Sequence, residues 1–168
     1  MSSSQVTLKL ARRIDAKRIA HMSRDLVEDG LPWSWTTARV AEQIRHPESN
    51  VLTAWTEGKL IGFAIMRYLA EHAHLNLLAV DSAYRRLGIG QQLMEWLEET
   101  CRVGGLFWVR LEVRANNHSA QSFYRRLGYR DEKVLPGYYR GRESALQMIH
   151  DLSKHAPISR PYTIDDSE

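Results

Sequence analysis

The feature that most restricts the fold is a single change of hydrophobic period at Arg85-Arg86-Leu87-Gly88-Ile89-Gly90. Before it, three runs at 51–55, 60–68 and about 74–80 read as strands, separated only by short connections such as Thr56-Glu57-Gly58-Lys59. After it, Ile89, Leu93, Trp96, Leu97 and Cys101 fall on one side of a helix from 88 to 101, which Gly104-Gly105 closes. Strands joined by tight turns pair antiparallel, because a parallel pair needs a crossover of about a dozen residues. The middle of the chain is therefore a meander that feeds a helix.

The flanks complete the pattern. Residues 6–10 alternate like a short strand. Asp15 is placed to cap a helix carrying Ile19, Met22, Leu26 and Val27, and Ser34 or Thr36 to start a second one through Ile44. Downstream, 106–113 is a strongly apolar strand. Asn116 or Asn117 then caps a helix with the stripe Ala120, Phe123, Tyr124 and Leu127, stopped by Gly128. Two last strands, 129–135 and 144–149, flank a loop at 136–142. About seven strands and four helices in this order predict an α/β (α+β) domain built on a mixed, mostly antiparallel sheet. The 168 residues suit one domain. Its expected span is 1–150, with a polar, proline-containing tail at 151–168 that is loosely held.

Composition narrows the function classes. No apolar run approaches the roughly 20 residues that cross a bilayer, and the first residues lack the basic and apolar regions of a secretory signal. A cytoplasmic protein with no membrane partner is expected. The single cysteine, Cys101, cannot build an internal disulfide framework, and its place on an apolar helix face argues against a nucleophilic role. The net charge is +3, with Arg110, Arg114, Arg125, Arg126, Arg130, Arg140 and Arg142 crowding the second half. No zinc finger, basic zipper or aromatic RNA-binding motif accompanies them, so they read as a solvated face plus contacts to a phosphorylated ligand, and no nucleic acid is expected. The histidines show no ligand spacing, and no metal is expected. A monomer or weak dimer is the simplest assembly.

At the change of period, glycines let backbone N–H groups approach a ligand, and a helix N-terminus adds partial positive charge. Together with Arg85 and Arg86 this makes a pyrophosphate cradle that needs no metal. It is not a Walker loop, because Ile89-Gly90-Gln91 lacks Gly-Lys-Ser/Thr. Nor is it a dinucleotide fingerprint, which requires a small residue where Leu93 stands and opens its fold rather than following a meander.

These residues resemble the GCN5-related N-acetyltransferase (GNAT) superfamily. Its motif of Arg or Gln, two residues, Gly, one residue, then Gly or Ala matches Arg85, Gly88 and Gly90, and Leu77-Leu78-Ala79-Val80-Asp81 looks like the strand before it. Leu111-Glu112-Val113-Arg114-Ala115-Asn116-Asn117 and Ala120 through Tyr129 look like the second conserved block. The resemblance spans about residues 5 to 150. Within the superfamily, Pro32-Trp33-Ser34, the Leu-Glu-Val-Arg-Ala run and Tyr138-Tyr139 are similar to the bacterial ribosomal-protein alanine N-acetyltransferases and their protein N-terminal relatives. The resemblance implies acetyl-CoA as cosubstrate. It implies cofactor contacts from Leu78, Ala79 and Val80, from Arg85, Arg86, Leu87, Gly88, Ile89, Gly90 and Gln91, and from Asn117. It also implies Glu112 as general base, Tyr124 as general acid and a protein or peptide N-terminus, such as a ribosomal protein's, as acceptor. The loop after Tyr139 is shorter than in that relative, which leaves the acceptor open.

Amine acetylation asks for a neutral amine and a proton for the departing thiolate. Glu112 alternates away from Val109, Leu111 and Val113 and can face a cleft, where burial is expected to raise its pKa; pairing with Arg110 or Arg114 is the other reading. His74 and Asn76 share one strand face, and His74 or a water is an alternative base. Tyr124 is a core tyrosine by pattern and a proton donor by resemblance. Tyr138 and Tyr139 are placed to wall an acceptor groove, while Trp33 and Trp35 read as packing. An α-amine, with pKa about 7.7–8.0, suits one modest base better than lysine at about 10.4. The other readings are a lysine or small-amine acetyltransferase and a catalytically idle acyl-CoA-binding module.

Overall fold

The computed structural model describes residues 4–154. The strands are β1 (Thr7–Leu10), β2 (Ser49–Thr56), β3 (Lys59–Tyr68), β4 (Ala73–Val80), β5 (Trp108–Arg114), β6 (Arg130–Tyr139) and β7 (Glu143–Asp151). The helices are α1 (Ala16–Leu26), α2 (Thr37–Arg45), α3 (Ile89–Val103) and α4 (His118–Arg126). All seven strands form one sheet in the order β1-β2-β3-β4-β5-β7-β6, antiparallel except at β4–β5. The mixed, mostly antiparallel sheet with four helices is the architecture that the periodicities predict.

Two apolar cores lie on opposite faces of this sheet. On one, α1 and α2 bury Ile19 and Val40 against Phe63, Ile65 and Leu77. On the other, α3 and α4 bury Leu93, Leu97 and Tyr124 against Met66, Leu111 and Met148. The meander turns at Glu57-Gly58, both at positive φ (49° and 75°), the left-handed pair that a two-residue hairpin needs.

Strand β4 changes faces partway along. Ile65 pairs with Leu77 and Met66 with Leu75, so Asn76 is an extra, bulged residue. Ala73 and Leu75 therefore enter the α3 core, whereas Leu77 and Ala79 enter the α1–α2 core. Without the bulge all four would share one face. The parallel ladder to β5 ends nearby: its three pairs are Ala73↔Val109, His74↔Arg110 and Leu75↔Leu111. Beyond Leu75 and Leu111 the two strands diverge, and a cleft opens through the sheet between them.

Several local expectations are corrected. Asp15 makes no side-chain cap on α1; its carboxylate accepts from the Arg12 amide (2.8 Å) at the start of a short 3-10 turn, Arg13–Asp15. Thr36, not Ser34, caps α2 by accepting from the Arg39 amide (3.3 Å). The loop foreseen at 136–142 is mostly strand. β6 runs to Tyr139 by absorbing Pro136 and Gly137 (φ +64°) in a register irregularity, which leaves a short turn at Arg140-Gly141-Arg142. Of the expected tail, residues 155–168 lie outside the described residues.

Candidate active site

The divergence of β4 and β5 produces a cleft of about 480 Å³. Five side chains singled out in the sequence line it together: His74, Asn76, Glu112, Tyr124 and Asn117, with Tyr138 and Tyr139 of β6 also in its wall. One mouth lies beside α1, α2 and the β6–β7 hairpin; the other faces α4.

Backbone polarity along β4 follows from its register. The Asp81 amide donates to Ile61 O (2.8 Å), so alternation sends the Ala79 peptide toward β3 and those of Leu78 and Val80 toward the open cleft. The expected contact from Ala79 backbone is corrected on this ground, since its N–H is committed to the sheet. Arg85 Nε donates to Val80 O (3.3 Å) and folds the following loop back onto the strand end.

That loop then enters α3 through two left-handed residues, Arg86 (φ +65°) and Gly88 (φ +79°). The N–H groups of residues 86–91 have no hydrogen-bond acceptor among the described residues; the first α3 bond of this series is Gln92 N–H to Gly88 O (3.0 Å). Six successive unsatisfied donors at a helix N-terminus form an anion nest. At Gly90, a β-carbon would stand 3.1 Å from Phe123 Cζ, so the small residue lets the α4 ring pack close beside the nest. A phosphorylated ligand fits these residues on the strength of those free donors.

On the acceptor side, Glu112 faces the cleft as its alternation predicts, yet its electrostatics differ from expectation. Burial pushes its pKa up, but hydrogen bonds from His74 (Nε2 to Oε2, 2.5 Å) and Gln147 (Nε2 to Oε1, 3.0 Å), with the charges of His74 and Arg110, outweigh burial and hold it below the ordinary carboxylate value. The anticipated upward shift is thus corrected. Arg110 and Arg114 are not its ion-pair partners, since they pair with Glu132 (3.5 Å) and Glu143 (2.7 Å). His74 also meets Asn76 Oδ1 through Nδ1 (2.5 Å). Burial opposes its charged form, but Glu112 and Asn76 together raise its pKa above 6.5. Both ring nitrogens face acceptors, which favours the doubly protonated ring beside a charged Glu112 carboxylate.

Across the cleft, Tyr124 is 7% exposed and stacks edge-on against Phe123 and Tyr129 (centroids 5.1 and 5.6 Å). Its hydroxyl takes no hydrogen-bond partner from the described residues, and burial raises its pKa far above 10. It is a phenol that keeps its proton. Asn117 caps α4 by accepting from the Ala120 amide (3.1 Å), which leaves its side-chain amide N–H₂ for the cleft.

Three contributors were not foreseen. Gln147 sits opposite Glu112 in the β5–β7 register, a pairing that no local pattern in β7 announces. Glu28, 7% exposed, accepts from Ser34 N (2.8 Å), Ser34 Oγ (2.5 Å), Ser23 Oγ and Trp35 N, and so fixes the chain between α1 and α2. Arg114 grips Glu143 through two bonds of 2.7 Å and Asp29 O through a third, tying that same segment to β5 and β7. Trp35 is buried as packing, whereas Trp33 is 38% exposed against His21 and Arg24.

Among the described residues no group of three or more His, Cys, Asp or Glu side chains converges to hold a metal, and no helix is long and apolar enough to cross a membrane.

Known proteins resemble this chain in sequence and in fold. The acetyltransferase (GNAT) family model matches residues 20–129. The [Ribosomal protein bS18]-alanine N-acetyltransferase of Escherichia coli is 36% identical over 125 residues, covering 73% of this chain and 82% of that protein. A crystal structure of the E. coli ribosomal-protein-S18-alanine N-acetyltransferase aligns with a TM-score of 0.77 at 28% identity, over 88% of this chain and 94% of the other. Ard1 from Thermoplasma volcanium gives 0.78 at 28% identity, over 88% and 97%. A Bacillus anthracis acetyltransferase in complex with acetyl coenzyme A gives 0.60 at 25% identity, over 66% of each chain.

Proposed function

The chain belongs to the acetyltransferase (GNAT) family, and from that premise we propose that this acetyl-CoA-dependent N-acetyltransferase modifies the α-amine of a protein or peptide N-terminus. The relatives named for protein N-terminal acetylation support this acceptor, a ribosomal protein being one candidate. The observation that carries the reading is the His74–Glu112 pair at the floor of the cleft. Glu112 and Asn76 raise the histidine pKa, which moves this base toward an α-amine at about 7.7–8.0, the amine easier to deprotonate than lysine at about 10.4.

Acetyl-CoA supplies the activated thioester. The free N–H groups of residues 86–91, with Arg85 and Arg86, hold its pyrophosphate, and the Leu78 and Val80 peptides and the Asn117 amide border its path into the cleft. The Val80 N–H points to where a carbonyl oxygen gains charge, an oxyanion-type contribution. On the acceptor side the His74–Glu112 pair takes the amine proton, with Asn76 fixing the ring. On the opposite side Tyr124 holds a proton at its hydroxyl for the leaving sulfur. Tyr138 and Tyr139 flank the incoming chain. A single cysteine, buried as Cys101, suits a reducing cytoplasm.

Thiol release from acetyl-CoA is the direct assay, with peptides bearing free N-termini set against the same peptides blocked at the N-terminus, lysine-only peptides and small amines. Turnover confined to free N-termini is expected. Turnover on small amines or lysine alone would remove the proposed acceptor.

A further inference from the structure

The charges around the cleft do not balance. Besides three tyrosines, six acidic or basic side chains line it: Glu28, Arg39, His74, Glu112, Arg114 and Arg140. Three are paired with an opposite charge, and Glu28 keeps its charge but is held by hydrogen bonds inside the protein. Glu28 is consumed by Ser23, Ser34 and Trp35, Glu112 and His74 by each other, and Arg114 by Glu143. Arg39 and Arg140 remain, with no carboxylate in ion-pair reach among the described residues.

Both are exposed, yet they are gathered at one place. They come from different elements, the first turn of α2 and the β6–β7 turn, and line the same opening. Arg39 lies over the buried Trp35 ring at 3.8 Å, which fixes the guanidinium plane and leaves its N–H edge free for a planar acceptor. Its charge is also felt at Tyr138, on the opposite wall. Arg140 is set in the left-handed region (φ +54°) of a turn closed by Gly141 N–H to Gly137 O (2.8 Å) and Arg142 N–H to Tyr139 O (3.0 Å). A stacked guanidinium and a second cation at one opening suit a carboxylate, which the guanidinium edge can hold through two bonds.

We propose that the cleft selects acceptor N-termini with an acidic side chain, Asp or Glu, at the second or third residue, which Arg39 and Arg140 receive while the α-amine sits at His74 and Glu112. This inference rests on the N-terminal acceptor reading. A lysine or arginine at the same positions meets two like charges, so the pair discriminates by repulsion as well as attraction. The contacts lie at the rim and are partly hydrated, so discrimination is about three- to thirty-fold per acidic residue and shrinks with salt.

The test uses the full chain, acetyl-CoA and hexapeptides with a fixed first residue that carry Glu, Gln or Lys at position two or three. Values of kcat/KM are measured at low and high salt. The expected order is Glu above Gln above Lys at one of the two positions, expressed mainly in KM and compressed at high salt. Arg39→Glu and Arg140→Glu are expected to invert the Glu-to-Lys ratio, a gain that misfolding cannot imitate. Equal use of the three peptides, or a preference for Lys, overturns the proposal while the N-terminal reading stands. If no peptide is acetylated, including the neutral ones, that reading falls and the inference with it.

Discussion

At Glu112 burial and hydrogen bonding act in opposite directions, and their outcome has measurable consequences. Glu112→Gln keeps the shape and the Gln147 contact region but removes the charge that raises His74. With only the Asn76 contact left to oppose burial, the His74 pKa falls. The rising limb of kcat/KM against pH should move to lower pH, while the plateau drops because the pair has lost most of its basicity. Stability follows the same groups. The depressed Glu112 contributes above its ordinary 4.5 and loses that contribution as pH falls through its lowered value. The raised His74 contributes below 6.5 and loses it as pH rises through its raised value. Both are present between about 4.5 and 6.5, and there Glu112→Gln should cost about 1–2 kcal/mol in urea denaturation, discounted because His74 remains 24% exposed. At pH 9 the deficit should shrink. Tyr124→Phe behaves differently. Its hydroxyl holds no protein group, so stability should change by less than about 1 kcal/mol, while kcat falls about 10²- to 10⁴-fold with little change in KM for acetyl-CoA. A kcat within a factor of about three of wild type would remove Tyr124 from the proton path.

Among the elements, the most informative junction is where α4 hands over to β6. Gly128 stands there at φ +102°, and a β-carbon would lie 2.6 Å from His150 Nε2. The imidazole is wedged against the Tyr129 ring (4.8 Å) and near Glu98 (3.6 Å), so it has little room to withdraw. Gly128→Ala should therefore destabilise the protein by about 2–4 kcal/mol, combining backbone strain with overpacking. Pairing it with His150→Ala should return only the overpacking part, as separate urea midpoints can show. The sequence reading reached this junction as a helix stop but not its packing, because His150 lies far along the chain. The same boundary runs through the whole fold. Every helix and strand had a local signature in period, cap or glycine, and so did the anion nest. The bulge at Asn76 had none, since it arises from how β3 and β4 pair. Glu112 was legible as cleft-facing from alternation alone, yet the sign of its pKa shift was not, because His74 is 38 positions away and Gln147 is 35. Pro136 and Gly137 looked like a loop locally and were drawn into β6 by pairing with β7.

At the scale of the molecule, the sheet is two antiparallel halves joined by three parallel pairs, Ala73↔Val109 to Leu75↔Leu111. Beyond those pairs the edges of β4 and β5 face an open cleft, and the loop at 85–91 carries donors without partners. This is the region of lowest expected local stability, with exposed backbone and few buried contacts. A ligand that reaches from the nest into the cleft would bridge both halves, so its binding energy should appear as folding stability. At acetyl-CoA a hundredfold above its Kd, linkage gives about 2.7 kcal/mol, or roughly 5–10 °C in Tm for a domain of this size. Free coenzyme A should give most of that shift, because the nest, not the acetyl group, supplies the larger share of contacts. Hydrogen exchange should locate it. Protection should rise at 78–91 and along β5, and stay unchanged at the β3–β4 turn (69–72), at the opposite end of β4 from the nest. A uniform rise across the chain would mean that the nucleotide stabilises the fold as one unit and that the cleft is not its weak seam.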